Sequence, residues 1–150
     1  MSRKISDNIL MTVTGISFLV NIIIINIIPP RIKILVIVGY VILGLGILLF
    51  FISLLTLLKN KPGQLIKTGI YRLVRHPMYL GAIIMFSSHI FFGQHWIVFL
   101  STAAGIICCY LIMISGDQRN LIKFGDDYKN YMKSVPRSNI LLGIFKLIKS

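Results

Sequence analysis

The sequence predicts an all-α integral membrane bundle of about four transmembrane helices, ending in a helical hairpin and a cytoplasmic interfacial tail helix. Of the 150 residues, 56% are hydrophobic and only 13% are charged, about half the charged fraction that is usual in a soluble domain. The mean hydropathy is +0.86. Four apolar segments are separated by short polar gaps, and this length suits a single membrane-embedded domain over residues 1–150.

The first two apolar segments are each long enough to cross a bilayer. The first covers about residues 8–28 and is ended by Pro29-Pro30, and the second covers about residues 34–58. A transmembrane helix needs roughly 20 apolar residues. The second segment also contains small residues of the kind that let two transmembrane helices approach closely, namely Gly39, Gly44 and Gly46.

The third and fourth apolar segments predict an antiparallel hairpin. The third covers residues 77–92 and is short for a full span, while the fourth covers residues 96–115. The intervening turn, Gly93-Gln94-His95, is tight. Trp96 lies where an interfacial aromatic anchor is expected.

The basic residues predict the orientation of the bundle. The chain has 16 Lys and Arg residues, 4 acidic residues and a net charge of +12. With the N-terminus inside, fourteen of the basic residues lie on one side of the membrane and two on the other. This asymmetry predicts that both termini and the second loop are cytoplasmic. It also explains the positive charge without a nucleic-acid partner. The adjacent Cys108-Cys109 pair has the spacing of neither a disulfide nor a metal site.

A polar cluster, TGIYRLVRHPMYLG at residues 68–81, precedes the third apolar segment. Ionisable groups at a membrane boundary are costly, so such a cluster indicates a functional site. Pro77 suits the first position of a helix, which places His76 at or beside the N-cap. The amide groups and positive dipole end at a helix start favour an anion, and Arg75 adds to this preference. We therefore expect an anionic group docked against Arg75 and His76, with Tyr79 lying deeper along the helix.

The tail carries a second polar group on the same predicted membrane face. Asp117 stands at the cytoplasmic end of the fourth helix. Phe124, Tyr128 and Tyr131 recur at helical spacing, which is typical of an amphipathic interfacial helix. Because the tail and the polar cluster share one face, they can meet in space.

Together, the segments TGIYRLVRHPMYLG and FGDDYKNYMKSVPR resemble the isoprenylcysteine carboxyl methyltransferase family. They are also similar to the related small membrane methyltransferases that act on phospholipid amines. The resemblance covers roughly residues 60–137. It implies a multi-helix membrane enzyme that binds S-adenosylmethionine at the cytoplasmic edge and methylates a lipophilic substrate entering from the membrane lipid.

The resemblance also implies roles for particular residues. Arg137 would help to place the polar head of the substrate. Family members usually carry a Glu-Glu pair where this chain has Gly116-Asp117, so Asp117 supplies one carboxylate, one methylene shorter, and Gly116 supplies none. The residues expected at the cofactor are Tyr71, Val74, Arg75, His76, Tyr79 and Asp117.

Two acceptor chemistries and one non-catalytic alternative remain open from the sequence. Methyl transfer from a sulfonium depends mainly on alignment. A carboxylate acceptor is already ionised and needs a cationic partner, for which Arg75 and Arg137 are the catalytic candidates. An amine acceptor must lose a proton, for which Asp117 and His76 are the candidates. The alternative is a small membrane protein that kept the fold without the activity, an interpretation that Gly116 favours.

Overall fold

The computed structural model describes residues 2–61 and 63–149, with side chains from Ser6 onward. Across these residues the regular structure is helical. The bounds are α1 Ser2–Ile27, α2 Lys33–Lys59, a short 3-10 helix Gly69–Arg72, α3 Pro77–Gly93, α4 Trp96–Phe124, α5 Asp126–Ser134 and α6 Ile140–Lys149.

The predicted helices are all present, and α4 is longer than expected. It continues to Phe124 instead of ending near Ser115. No proline or glycine after Gly116 interrupts it until Gly125, whose φ of 54° ends the helix in a conformation that favours glycine. Asp117 therefore lies inside α4. At a rise of 1.5 Å per residue, Asp117 lies about 32 Å from Trp96 along the helix axis, which is close to the thickness of the bilayer core.

Three helices are long and apolar enough to cross a membrane, within Ser6–Ile27, Lys33–Lys59 and Trp96–Phe124. The fourth predicted span, α3, has 17 residues and is about 25 Å long, somewhat less than the roughly 30 Å hydrocarbon core. The expectation of about four transmembrane helices is thus met by three long helices and one short one.

The α3–α4 hairpin forms the centre of the bundle. Helix α2 packs mainly along α3, and α1 packs mainly along α4. At the hairpin turn the Gln94 side chain accepts a hydrogen bond from the Ile32 amide (2.7 Å) and donates one to its carbonyl (2.8 Å). At the opposite end Asp7 near the start of α1 forms an ion pair with Arg119 on α4. The starts of α1 and α3 and the ends of α2 and α4 therefore share one end of the bundle.

Asn21 links three helices inside the bundle. Its Nδ2 donates to Thr102 Oγ1 on α4 (2.9 Å) and lies 3.2 Å from His89 Nδ1 on α3. Asn21 and Thr102 are fully buried. A polar side chain surrounded by apolar helices is best satisfied by other polar side chains. This network therefore fixes α1, which carries no motif, against the hairpin.

The predicted tail helix is two helices, α5 and α6, and α5 turns its aromatic side chains inward. Tyr128, Tyr131 and Val135 form a buried cluster with Leu65 and Phe124 partly buried around it. The helical spacing of the tyrosines thus reflects packing against the protein. Exposed apolar side chains in the tail lie mainly on α6.

The α2–α3 contact is made backbone to backbone at two glycines. A Cβ atom added at Gly46 would lie 2.7 Å from the Met85 amide nitrogen, and one added at Gly81 would lie 2.9 Å from the Phe50 amide nitrogen. Gly39 lies against the Phe92 ring, whereas Gly44 has open space around its Cα. Two of the three glycines predicted to allow close approach therefore do so.

We expect Gly46→Ala and Gly81→Ala each to lower the free energy of unfolding by about 1–3 kcal/mol, because the added methyl group meets backbone that cannot move aside. Gly44→Ala is the matched control on the same helix and should be neutral or slightly stabilising. Thermal unfolding in detergent measures the difference. Equal melting temperatures for Gly44→Ala and Gly46→Ala would contradict this packing.

Candidate functional site

The site is centred on the carboxylate of Asp117, which is only 4% exposed. Its Oδ1 accepts hydrogen bonds from His76 Nε2 (2.7 Å) and from the hydroxyl of Tyr128 (2.6 Å). Its Oδ2 accepts one from Arg137 Nε (2.8 Å) and lies 3.2 Å from Arg75 Nη2. Four donors from three separate parts of the chain thus converge on one buried anion.

The two sequence motifs also meet through their backbones. The Arg75 amide donates to the Pro136 carbonyl (3.0 Å), and the His76 amide donates to the Arg137 carbonyl (3.2 Å). These bonds satisfy two amides just before α3 and align the segments side by side. The segment before α3, which contains Arg75 and His76, and the segment after α5, which contains Pro136 and Arg137, therefore form one unit. The sequence placed both on the same membrane face, where they could meet.

The anion expected at the start of α3 is supplied by the protein itself. His76 is the N-cap residue and Pro77 the first helical residue, as predicted. The His76 side chain makes no capping bond and instead contacts Asp117. Arg75 and His76 thus hold the carboxylate of Asp117 where an external anion was expected.

The segment 71–79 contributes to two different cavities. Tyr71 and Arg75 line a cavity of about 200 Å³ that also contacts the polar side chains of Asn120 and Lys123. Tyr79 lines a larger apolar cavity of about 390 Å³. Val74 and His76, which were also expected at the cofactor, line neither of these cavities. Val74 is fully buried, so its side chain supports the fold of the segment.

Arg75 retains unused hydrogen-bonding capacity. Its side chain is 7% exposed, and within the described part of the chain its Nε and Nη1 have no hydrogen-bond partner. Buried donors are almost always paired, so these two unpaired nitrogens make Arg75 a candidate for a ligand contact. A planar guanidinium is well suited to a carboxylate or phosphate group.

The apolar cavity lies among the four bundle helices. Met11 and Thr14 come from α1, Phe50 from α2, and Cys109 and Ile112 from α4. The α3 residues at its wall are Met78, Tyr79 and Ala82. Its lining is suited to a hydrocarbon chain. Helix α1, which has no motif, contributes to this cavity, a contribution that no local sequence signal indicated.

Tyr128 is part of the site, where its hydroxyl contacts Asp117; from the sequence it was equally open as an interfacial packing residue or a substrate contact. Burial raises its pKa to about 12, and the Asp117 carboxylate next to it acts in the same direction. Its hydroxyl therefore stays protonated at neutral pH and donates to Asp117. Tyr131, beside it, donates to the Tyr71 carbonyl at 2.5 Å, which holds the wall of the 200 Å³ cavity.

Gly116 faces the imidazole of His76. A Cβ atom added there would lie 3.1 Å from His76 Cε1, so a larger residue would press on the ring. The single carboxylate of Asp117 occupies the centre of the site in place of the pair expected from the resemblance.

We expect Asp117→Asn to lower the free energy of unfolding by about 3–5 kcal/mol, because it leaves the buried Arg75 cation without its charged partner. Asp127→Asn, at an exposed position on α5, removes the same charge and should change stability by about 0.5 kcal/mol or less. Thermal unfolding of both purified variants measures this. Similar melting curves would show that Asp117 does not hold the site together.

Comparison with known proteins identifies the family of the chain. The chain matches the phospholipid methyltransferase family over residues 34–117, which is more than half of its length. No curated protein and no solved structure shows significant similarity to it. The match runs from the start of α2, through the Arg75-His76-Pro77 segment, to Asp117. The chain therefore belongs to the phospholipid methyltransferase family.

Proposed function

We propose that the chain transfers a methyl group from S-adenosylmethionine to a lipophilic acceptor at the cytoplasmic face of the membrane. Membership of the phospholipid methyltransferase family makes a methyltransferase acting on lipids the natural assignment. The observation that carries the proposal is the pair of cavities served by one segment. Arg75 lines a partly polar cavity, and Tyr79, four residues later in the first turn of α3, lines an apolar one.

The residues of the partly polar cavity suit the cofactor in chemical type. The free Nε and Nη1 donors of Arg75 suit the carboxylate of its amino-acid part. The ring of Tyr71 offers an aromatic face to a cationic sulfonium. When bound, S-adenosylmethionine supplies an electrophilic methyl group. His76 and Asp117 then act as positioning residues, because their mutual hydrogen bond holds Arg75 and α3 in place.

The acceptor would lie with its hydrocarbon part in the apolar cavity and its reacting head near Arg137. This arginine is about a quarter exposed, and its Nη1 donates to the Tyr110 hydroxyl (3.1 Å). Asp117 has all of its strong acceptor positions engaged, so it is poorly placed to remove a proton from an amine. An acceptor that is already ionised, such as an isoprenylcysteine-type carboxylate, is therefore favoured by the geometry.

A phospholipid amine is the second candidate acceptor, and the family match favours it. Its nitrogen would have to reach the site already deprotonated or pass its proton to His76. The two acceptors are chemically distinguishable after reaction, since one product is a methyl ester and the other an N-methyl amine.

Charge distribution supports the cytoplasmic placement. The end of the bundle that contains the site carries the basic second loop and the tail, while Arg31 and Lys33 are the basic residues of the loop at the other end. Positive residues accumulate on the cytoplasmic side of membrane proteins. We therefore place both termini and the site in the cytoplasm, where S-adenosylmethionine is available.

We expect calorimetric titration with S-adenosylhomocysteine to show binding to the intact protein. Arg75→Ala should weaken that binding about tenfold or more, because it removes charged hydrogen bonds. Tyr71→Leu should also weaken it, and it leaves every donor to Asp117 in place. Lys129→Ala, an exposed residue of α5, is the matched control.

If both Arg75→Ala and Tyr71→Leu leave the affinity for S-adenosylhomocysteine unchanged, the cofactor does not bind in this cavity. Absence of binding by the wild-type protein would favour the non-catalytic alternative. Melting curves of each variant show whether the fold is retained.

We expect labelled methyl groups to move from S-adenosylmethionine into extracted host lipids. Ala82→Phe should reduce this transfer about tenfold or more by filling the apolar cavity, while binding of S-adenosylhomocysteine stays unchanged. Ile107→Phe adds bulk at an exposed position of α4 and is the control. Transfer that survives Ala82→Phe would place the acceptor elsewhere.

Treatment of the labelled product with base identifies the acceptor class. A methyl ester releases labelled methanol under base, whereas an N-methyl amine keeps its label. Release supports the carboxylate acceptor, and retention supports the phospholipid amine.

A further inference from the structure

A third cavity, at the same end of the bundle as Asp117, has no role in the proposed reaction. It measures about 220 Å³ and lies between the segment before α3 and the tail. Three cations line it, Lys67, Arg72 and Lys146, together with the hydroxyl-bearing Tyr131 and Ser134. Val135 and Leu147 supply its apolar wall.

The positive charge of this cavity is not balanced by the protein. The chain has only four acidic residues. Asp7 and Asp117 form the ion pairs found in the described residues, with partners outside this cavity. Lys146 Nζ donates to the Lys133 carbonyl (2.8 Å), which holds it toward the tail. Three cations that line one cavity without a carboxylate are suited to a phosphate group.

Helix α6 joins this cavity to an exposed apolar surface. Gly143 is buried and approaches the backbone of Leu73. On the opposite side, at i, i+4 and i+7, Leu141, Phe145 and Ile148 are 80%, 60% and 81% exposed. Large apolar side chains lined up in this way on a helix with basic residues are typical of a helix lying in the membrane interface.

We propose that this cavity binds the phosphate headgroup of an anionic phospholipid, while the apolar face of α6 lies in the acyl region of the same leaflet. Lys67, Arg72 and Lys146 contact the phosphate. Leu141, Phe145 and Ile148 contact the hydrocarbon. A lipid headgroup fits better than free phosphate because α6 contributes both Lys146 to the cationic cavity and the exposed apolar face beside it.

The site has a structural consequence for the bundle. Helix α6 follows the segment whose Pro136 and Arg137 carbonyls accept the amides of Arg75 and His76. A lipid that binds α6 at the membrane therefore also restrains the segment that contains Pro136 and Arg137. The inference is independent of which acceptor is methylated, and it holds even if the chain lacks activity.

The test uses the full chain in nanodiscs of phosphatidylcholine with or without 30 mol% phosphatidylglycerol. We expect phosphatidylglycerol to raise the melting temperature by about 4 °C or more. The triple variant Lys67→Ala, Arg72→Ala, Lys146→Ala should lose this increase and bind spin-labelled phosphatidylglycerol about tenfold more weakly. The control triple variant removes the same charge from exposed positions outside the cavity, at Lys59, Lys61 and Lys129.

Three outcomes would overturn the proposal. If both triple variants lose the increase in melting temperature and the lipid affinity equally, the effect comes from total charge and not from this cavity. An equal increase in melting temperature with inorganic phosphate, in phosphatidylcholine alone, would identify a free anion as the ligand. If the triple variant does not fold, Lys146→Gln alone must still reduce lipid binding, and an unchanged affinity would refute the site.

A separate measurement follows α6 directly. Phe145→Trp in a Trp96→Phe background places the single tryptophan on the apolar face of α6. We expect blue-shifted emission that brominated phosphatidylcholine quenches. Emission that is quenched only by aqueous iodide would place this face in water and contradict the proposal.

Discussion

The structure depends on one buried carboxylate. The chain carries a net charge of +12, and Asp117 is the single acidic residue at the centre of the site. A buried charge is costly unless it is paired and hydrogen-bonded. Asp117 meets this condition with donors from the start of α3, from α5 and from the segment after α5. The tail must therefore fold back onto the bundle for the site to exist.

The contact between Arg75 and Asp117 lies between two chemically different cavities. Arg75 contacts Asp117 through Nη2, its side chain lines the partly polar cavity, and within the described residues its buried Nε and Nη1 have no hydrogen-bond partner. Tyr79, in the first turn of α3, lines the apolar cavity between the helices. Under the proposed function, the partly polar cavity would take the water-soluble cofactor and the apolar cavity the hydrocarbon part of the acceptor, so the start of α3 would separate the two.

The lengths of the helices and their small residues determine how the bundle packs around the site. Helix α3 is shorter than the bilayer core, and Gly46 and Gly81 let α2 lie directly against it. Asn21 and the Asp7–Arg119 ion pair hold α1 at both ends of its contact with α4. A helix without any motif thus forms part of the wall of the apolar cavity.

Much of the fold could be predicted from hydropathy and helix signals. Apolar runs of about 20 residues, the Pro77 helix start and the Gly93-Gln94 turn are local features, and the helices that they predicted are present. The bounds of α4 were wrong, because the sequence after Ser115 becomes polar without a helix-breaking residue before Gly125. Polarity marks the membrane boundary, but it does not end a helix.

The sequence alone determined the membrane class, the helix order and the grouping of Arg75, His76 and Pro77 at a helix start, because each depends on residues close together in the chain. The tertiary structure decided that Asp117 is the anion bound there, that Tyr128 completes its shell and that Arg75 keeps free donors. These facts depend on side chains separated by up to 42 residues, and their pairing is set by packing. The structure places one carboxylate, that of Asp117, among four donors at the centre of the site.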